Sequence, residues 1–164
     1  MPKRDHGAPA VSWWNSIPTT GPTGTATTWV GNQLFFDVPG RVAGFRFYVA
    51  NGQDGNSRCT MWNRDTVVVH VACVARPRIT TGDQWQQVWF RPWLRIDETS
   101  LWRFAVCYPG GKFFRNNSIL TGFGISRNGM TFHRGFTTTS LTPEIATITE
   151  LSNAHAVDLL FYPD

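Results

Sequence analysis

Carboxylates, histidines and cysteines carry most protein chemistry, and this 164-residue sequence shows them in no arrangement typical of a catalytic site. Acid–base catalysis by two carboxylates requires both groups to converge on one point. The adjacent pair Asp97-Glu98 does not meet this requirement, because neighbours on an extended chain point to opposite faces. The sequence contains neither a Gly-x-Ser-x-Gly motif nor a phosphate-binding loop. We therefore predict no catalytic residues and a protein that is not an enzyme.

The histidines do not predict a metal site either. The closest pair of possible ligands is His70 and Cys73, but positions three apart on a strand face opposite sides, so they cannot share an ion. His133 and His155 show no ligand spacing to any other residue. We predict that the protein holds no metal and no other cofactor.

The sequence holds three cysteines, Cys59, Cys73 and Cys107, without a Cys-x-x-Cys spacing. Each lies in a strand-like run, where cysteine usually behaves as a small hydrophobic residue. We expect all three to be reduced core residues. The sequence leaves open whether any two of them are bridged.

Aromatic residues are the strongest signal, with 8 Trp, 12 Phe and 3 Tyr. Five of them fall within or beside two neighbouring predicted strands: Trp85, Trp89, Phe90, Trp93 and Trp102. They would form either a platform on which sugars stack or part of the hydrophobic core. Because a buried aromatic ring removes a large apolar area from water, we favour the core for rings on strands.

The elements that position these residues are predicted to be β-strands, since Val, Thr and aromatic runs alternate with Gly- and Pro-rich turns. The predicted strands cover residues 27–38, 41–50, 57–63, 66–76, 84–91, 101–108 and 155–162. In the second of these, alternation would place Phe45, Phe47 and Val49 opposite Val42 and Gly44. Residues 108–111 fit a type II turn. Residues 115–154 are less regular, with a short helix predicted from Thr142 to Leu151. Strands at this spacing indicate an antiparallel β-sandwich.

Residues 1–25 are predicted to form an extended N-terminal arm, and residues 26–164 a single sandwich domain. Trp13 and Trp14 stand in polar sequence, and the segment after them is too rich in Pro and Gly for a strand interior. An apolar pair on such an arm is typical of an anchor into another protein. We therefore predict that Trp13 and Trp14 bind a partner, with Phe132 and Phe136 as further candidates.

Charge and hydropathy exclude several classes of function. The net charge is +4, but the basic residues, most of them Arg, form no stripe or cluster, so we predict no nucleic-acid binding. Residues 1–9 are polar and precede no apolar run of the kind that a signal peptide carries. No run approaches the length of a membrane span. We expect a protein made in a host cytoplasm that does not insert into a membrane.

Five stretches occur in an order and spacing that resemble a known family: Phe45–Tyr48, Thr60–Trp62, Trp85–Pro92, Trp102–Phe113 and Ala156–Pro163. The family consists of β-sandwich domains of unknown function, which are found on bacterial secreted, glycan-associated proteins and in virion (tail) proteins of phages. The resemblance covers roughly residues 27–163. It implies a jelly-roll-like sandwich with a non-enzymatic binding role, and it brings no catalytic residues.

These observations predict a structural or adhesion component of a phage virion, in particular a minor tail protein. Its expected partners are other virion proteins in a homo-oligomer or symmetric assembly, together with a host-surface glycan. The alternatives are a carbohydrate-binding module of a secreted bacterial protein and a capsid decoration protein. The sequence leaves the copy number, the neighbouring subunits and the tail or capsid location open.

Overall fold

The computed structural model describes residues 9–14, 18, 20–23, 29–51, 56–65, 69–75, 82–97, 99–108, 113–116, 124–138, 148–151 and 154–164. Within these ranges the chain is all-β, with thirteen strands and no helix. The strands are β1 (Thr20–Thr23), β2 (Trp29–Phe36), β3 (Gly40–Val49), β4 (Ser57–Asn63), β5 (Val69–Ala75), β6 (Gln84–Ile96), β7 (Leu101–Cys107), β8 (Phe113–Asn116), β9 (Ser126–Arg127), β10 (Met130–Thr138), β11 (Thr149–Leu151), β12 (Ala154–His155) and β13 (Val157–Pro163).

The strands pair antiparallel throughout the described ranges. The larger sheet has seven strands in the order β11-β10-β2-β7-β4-β5, with β9 beside β10. A second sheet has the order β13-β3-β6, and a small one the order β1-β8-β12. The prediction of an all-β, antiparallel fold is confirmed.

The seven-stranded sheet and the β13-β3-β6 sheet bury their apolar side chains in one shared core. Phe36 on β2 lies 4.9 Å from Phe161 on β13, measured between ring centroids. Inward-facing residues alternate along β13, where Val157, Leu159 and Phe161 belong to this core. Asp158 and Leu160, which lie between them, are buried as well, so both faces of β13 are covered over this stretch.

A bulge changes the faces expected for β3. The pairing of β3 with β6 shifts between Val42 and Gly44, and Val42 joins Phe45 and Phe47 in the core. Simple alternation places Val42 opposite those rings, so that prediction is wrong at this position. An extra residue in a strand moves the residues beyond it to the other face.

Strand β6 is longer than the sequence predicts. The sequence predicts a strand that ends at residue 91, before Pro92, yet β6 continues to Ile96. The register runs from Gly44↔Trp89 to Val42↔Leu94, which places Pro92 in the irregular stretch between paired positions. β6 is also the last strand in the order of its sheet. Proline is tolerated at bulges and on edge strands, because the missing N–H is not needed there.

The region expected to be irregular contains β10, which pairs with β2 along its whole length. Polar residues of β10 are interspersed with buried apolar residues, among them Met130, Phe132 and Phe136. The prediction of a helix up to Leu151 is wrong over its last residues, because Thr149–Leu151 is a strand. Residues 141–147 and the turn residues 109–111 lie outside the described residues.

The described part of the predicted arm lies against the sandwich. Val11 forms a two-way backbone bridge with Phe161, with N···O distances of 2.8 and 2.9 Å. The Ser12 hydroxyl donates to the carbonyl of Leu159 at 3.1 Å. Residues 11–14, called the N-terminal segment below, therefore run along the edge of β13 that β3 does not occupy, and cover backbone groups that would otherwise be open.

Candidate functional site

The four residues predicted to bind a partner are all interior residues of this chain. Trp13 and Trp14 are each 1% exposed. Phe132 and Phe136 on β10 are equally buried. The expectation that the two indoles lack a core to join is wrong, because long-range contacts across the sandwich, which local composition does not encode, enclose them.

The two indoles point into different parts of the core. The Trp13 ring lies 5.0 Å from Phe132, and its Nε1 donates to the carbonyl of Ile125 at 2.9 Å. The Trp14 ring lies 5.8 Å from Trp85, and its Nε1 donates to the carbonyl of His155 at 2.9 Å. Both indole N–H groups thus have acceptors, as buried tryptophans usually require.

A buried carboxylate fixes the N-terminal segment. The backbone N–H of Trp14 donates to Asp158 Oδ2 at 2.6 Å, and that of Leu159 donates to Oδ1 at 2.8 Å. Arg46 donates from Nη1 to the carbonyl of Trp14 at 3.2 Å. Burial raises the pKa of Asp158 to about 6, although these N–H donors and the positive charge of Arg46 lower it. We assign this group a structural role, since it is enclosed by its own chain.

The outer face of β6 is the main exposed aromatic surface in the described part of the chain. Val88, Phe90 and Leu94 pack against the core. Because the stretch between Trp89 and Leu94 is irregular, the residues beyond it are placed by register and contact: Arg95 shares a ladder row with Tyr162 through Arg41, and Trp93 stacks on Tyr162. Trp89 is 50% exposed, a large fraction for an indole. We call the following residues the β6 surface: Trp89, Arg91, Trp93 and Arg95 of β6, and Tyr162 of β13.

The rings of the β6 surface are held in place by their neighbours. Trp93 stacks on Tyr162 with a centroid distance of 5.0 Å and an interplanar angle of 15°. The guanidinium of Arg91 lies 5.8 Å from the Trp93 ring. Gly44 of β3 pairs with Leu160 of β13 on one side and with Trp89 of β6 on the other, so Leu160 and Trp89 lie in one ladder row. Tyr162 is two positions further along β13. Trp89 and Tyr162 thus lie two ladder rows apart in one sheet, with a bulge between the rows.

Ion pairs border this aromatic surface. Asp164 accepts from Arg95 at 2.6 Å and lies 3.6 Å from Arg41. Asp97 accepts from Arg95 Nε at 2.5 Å. Planar rings beside charged hydrogen-bonding groups can hold a ligand that has both apolar faces and hydroxyl or charged groups.

The structure divides the five aromatics that the sequence singled out. Phe90, with its ring 5.6 Å from Phe45, and Trp102 belong to the interior, as predicted. Trp85 is half-buried, while Trp89 and Trp93 form the β6 surface. Sequence reasoning missed Tyr162, which lies far away along the chain. It also missed that Arg91, Trp93 and Arg95 come together beside Tyr162.

The described residues contain no group of three or more His, Cys, Asp or Glu side chains arranged to hold a metal ion. His70 packs edge-on against Trp102 at 4.9 Å, whereas Cys73 packs against the core. Within the same described ranges, no helix is long and apolar enough to cross a membrane.

Comparisons with models of known protein families and with curated proteins find no match to this chain. The resemblance to the virion and glycan-associated sandwich domains therefore stays a prediction from the sequence.

Proposed function

We propose that this chain is a non-catalytic adhesion domain of a phage virion, a minor tail protein that binds a host-surface glycan through the β6 surface. The observation that carries the proposal is the half-exposed Trp89 on the same sheet as the stacked Trp93–Tyr162 pair. The virion assignment rests on the resemblance of the sequence to virion sandwich domains.

The chemistry of the β6 surface suits a sugar ring. A pyranose presents an apolar face of C–H groups, which packs on an indole, and a rim of hydroxyl groups, which need hydrogen-bond partners. Trp89 supplies an open ring. Arg91 and the Arg95–Asp164 pair supply hydrogen-bond donors and acceptors at the border of the β6 surface. Because Trp93 is already stacked on Tyr162, little side-chain freedom would be lost on binding.

The architecture agrees with this role. Two antiparallel sheets around one core are compatible with a jelly-roll-like sandwich, a type of fold that occurs in both viral capsid and lectin domains. We therefore also propose that this chain has a jelly-roll-like fold. Fold alone does not assign function, so the exposed aromatic surface is the stronger support.

Glycan binding can be tested with the purified full chain on an array of bacterial surface polysaccharides. We expect at least one glycan to bind, and Trp89→Ala to weaken that binding by about tenfold or more, equivalent to ~1.4 kcal/mol. Val74→Ala on β5 is the matched control, since it removes another exposed apolar side chain (60% exposed) from a different sheet. Equal binding by wild type and Trp89→Ala, or no glycan bound, would overturn the binding role.

Location requires a separate experiment. An antibody against this chain should label purified phage particles at the tail in electron micrographs. Labelling over the capsid would instead support a decoration protein. Absence from particles, combined with Trp89-dependent glycan binding, would favour the carbohydrate-binding module of a secreted protein, which would use the same surface.

A further inference from the structure

Two of the three cysteines face each other across neighbouring strands. In the antiparallel pairing of β4 with β5, Cys59 lies directly opposite Cys73. Directly opposite residues in such a ladder have Cα atoms about 4.5–5.5 Å apart, and their side chains lie on the same face. Disulfides need Cα atoms about 4.4–6.8 Å apart. The ladder thus places this pair within bridging distance without movement of the backbone.

The side chains are already in contact. The Cys59 thiol donates a hydrogen bond to the Cys73 sulfur, which lowers the pKa of Cys73 and raises that of Cys59 well above its usual value. Cys59 is buried, whereas Cys73 is partly exposed. Cys73 is therefore the sulfur that a reagent in solution reaches first, and the one that more readily becomes a thiolate.

The third cysteine faces the other way. Cys107 on β7 lies opposite Arg58, the neighbour of Cys59, so its side chain is on the other face of the sheet. It packs in a separate cluster with Trp29, and its sulfur accepts from Arg58 Nη2 at 3.7 Å. Cys107 thus provides an internal control thiol in the same sheet.

We propose that Cys59 and Cys73 form a cross-strand disulfide when the folded chain meets a low-molecular-weight disulfide such as oxidised glutathione. The Cys73 thiolate attacks one sulfur of the oxidant, which forms a mixed disulfide and releases one thiolate of the oxidant. The Cys59 sulfur, losing its proton to solvent, then attacks Cys73, forms the protein disulfide and releases the second thiolate. Two protein thiols are oxidised and one disulfide of the reagent is reduced to two thiols.

The bridge would secure an edge of the larger sheet. β5 is the last strand in the order of that sheet, next to β4, and it presents the exposed side chains of Val69 and Val74. Exposed apolar edge strands tend to pair with other chains. A link to β4 would hold β5 in register and restrict the unfolded chain between the two cysteines. The inference does not depend on the proposed adhesion role.

The test uses the purified full chain, with thiols counted by alkylation and mass spectrometry before and after treatment with oxidised glutathione. Because Cys59 and Cys107 are buried, the alkylation is carried out in denaturant, where we expect all three cysteines of the reduced protein to react. After oxidation only Cys107 should be alkylated, and the chain should lose the mass of two hydrogen atoms. Peptide mapping should recover Cys59 linked to Cys73, and the melting temperature should rise by about 5–10 °C.

The variants separate this pair from the other combinations. Cys107→Ser should close the bridge as wild type does, whereas Cys59→Ser and Cys73→Ser should form no intramolecular disulfide. Comparison of reduced and oxidised wild type keeps the test valid even where a serine variant folds poorly. Three outcomes would each overturn the proposal: three thiols that still react with the alkylating reagent after oxidation, a stable mixed disulfide at Cys73, or a bridge that includes Cys107.

Discussion

The backbone N–H of Trp14 and the carboxylate of Asp158 are joined by a 2.6 Å hydrogen bond across 144 positions of the sequence. This bond closes the N-terminal segment over the last strand of the domain. Because Asp158 is buried, its carboxylate depends on these donors for the hydrogen bonds that water would otherwise supply. The first tryptophans of the chain and its last strand are thus parts of one packing unit.

The N-terminal segment should therefore contribute to the stability of the isolated domain. We expect Trp14→Ala to lower the free energy of unfolding by about 3–5 kcal/mol, as other Trp-to-Ala changes in cores do. Denaturant titration of the monomer measures this loss. Trp89→Ala, which removes a half-exposed indole, is the control and should cost much less. An unchanged midpoint for Trp14→Ala would show that the segment is a separate arm, as the sequence predicts.

Asp158 should make part of the stability depend on pH. Its pKa is raised to about 6 in the fold by burial, so the folded state binds a proton more tightly than the unfolded state does. This contribution is fully present below the unfolded pKa of about 4 and is lost as pH rises through about 6. We expect up to about 3 kcal/mol more stability from this group at pH 4 than at pH 7.5.

Asp158→Asn isolates that contribution. Burial and the charge of Arg134 lower the pKa of His133. Protonation of His133 therefore lowers the stability of the fold as the pH falls, which opposes the effect of Asp158. The informative quantity is therefore the difference between wild type and Asp158→Asn in denaturant titrations at several pH values. That difference should shift in favour of wild type as the pH falls from 7.5. A constant difference would contradict the raised pKa.

Gly31 on β2 should tolerate no side chain. A Cβ there would lie 2.1 Å from the carbonyl oxygen of Phe104 and 2.7 Å from the Phe136 ring. We expect Gly31→Ala to cost about 3 kcal/mol or more, because the neighbouring backbone of β7 cannot move away cheaply. Gly82→Ala is the matched control, since its Cβ would meet nothing within 4 Å. Similar melting temperatures for the two variants would show that the β2–β7 contact is looser than described.

Trp85 should matter less than its sequence pattern suggests. The sequence predicts a ring buried between the sheets, but the structure leaves it half-buried, under Arg46 at 4.2 Å and beside Trp14. We expect Trp85→Ala to cost about 1–3 kcal/mol, and Trp62→Ala, which empties a fully buried site, about 3–5 kcal/mol. Thermal melts of the two variants in one buffer give the order, and the reverse order would contradict it.

Local pattern was sufficient for several of the strands. Residues 57–63 were predicted with the observed bounds of β4, and the ends of β2, β3 and β7 were predicted to within one or two residues. In these strands the residues of the shared core alternate, as Cys59 and Met61 do on β4 and Phe104 and Val106 do on β7, and this period of two can be read from the sequence. Strand β10 was missed because Thr, His and Arg separate its buried aromatics, so its pairing with β2 decides its conformation.

The candidate sites depended on tertiary structure. The sequence determined that aromatic residues dominate this protein and that its cysteines lie on strands. Only the fold decided that Trp13 and Trp14 are interior, that Trp89 is open, and that Tyr162 stacks on Trp93. The same holds for Cys59 and Cys73, which become neighbours through the register of β4 with β5. Burial and contact between distant residues are properties of how strands pair and sheets pack, and local composition does not encode them.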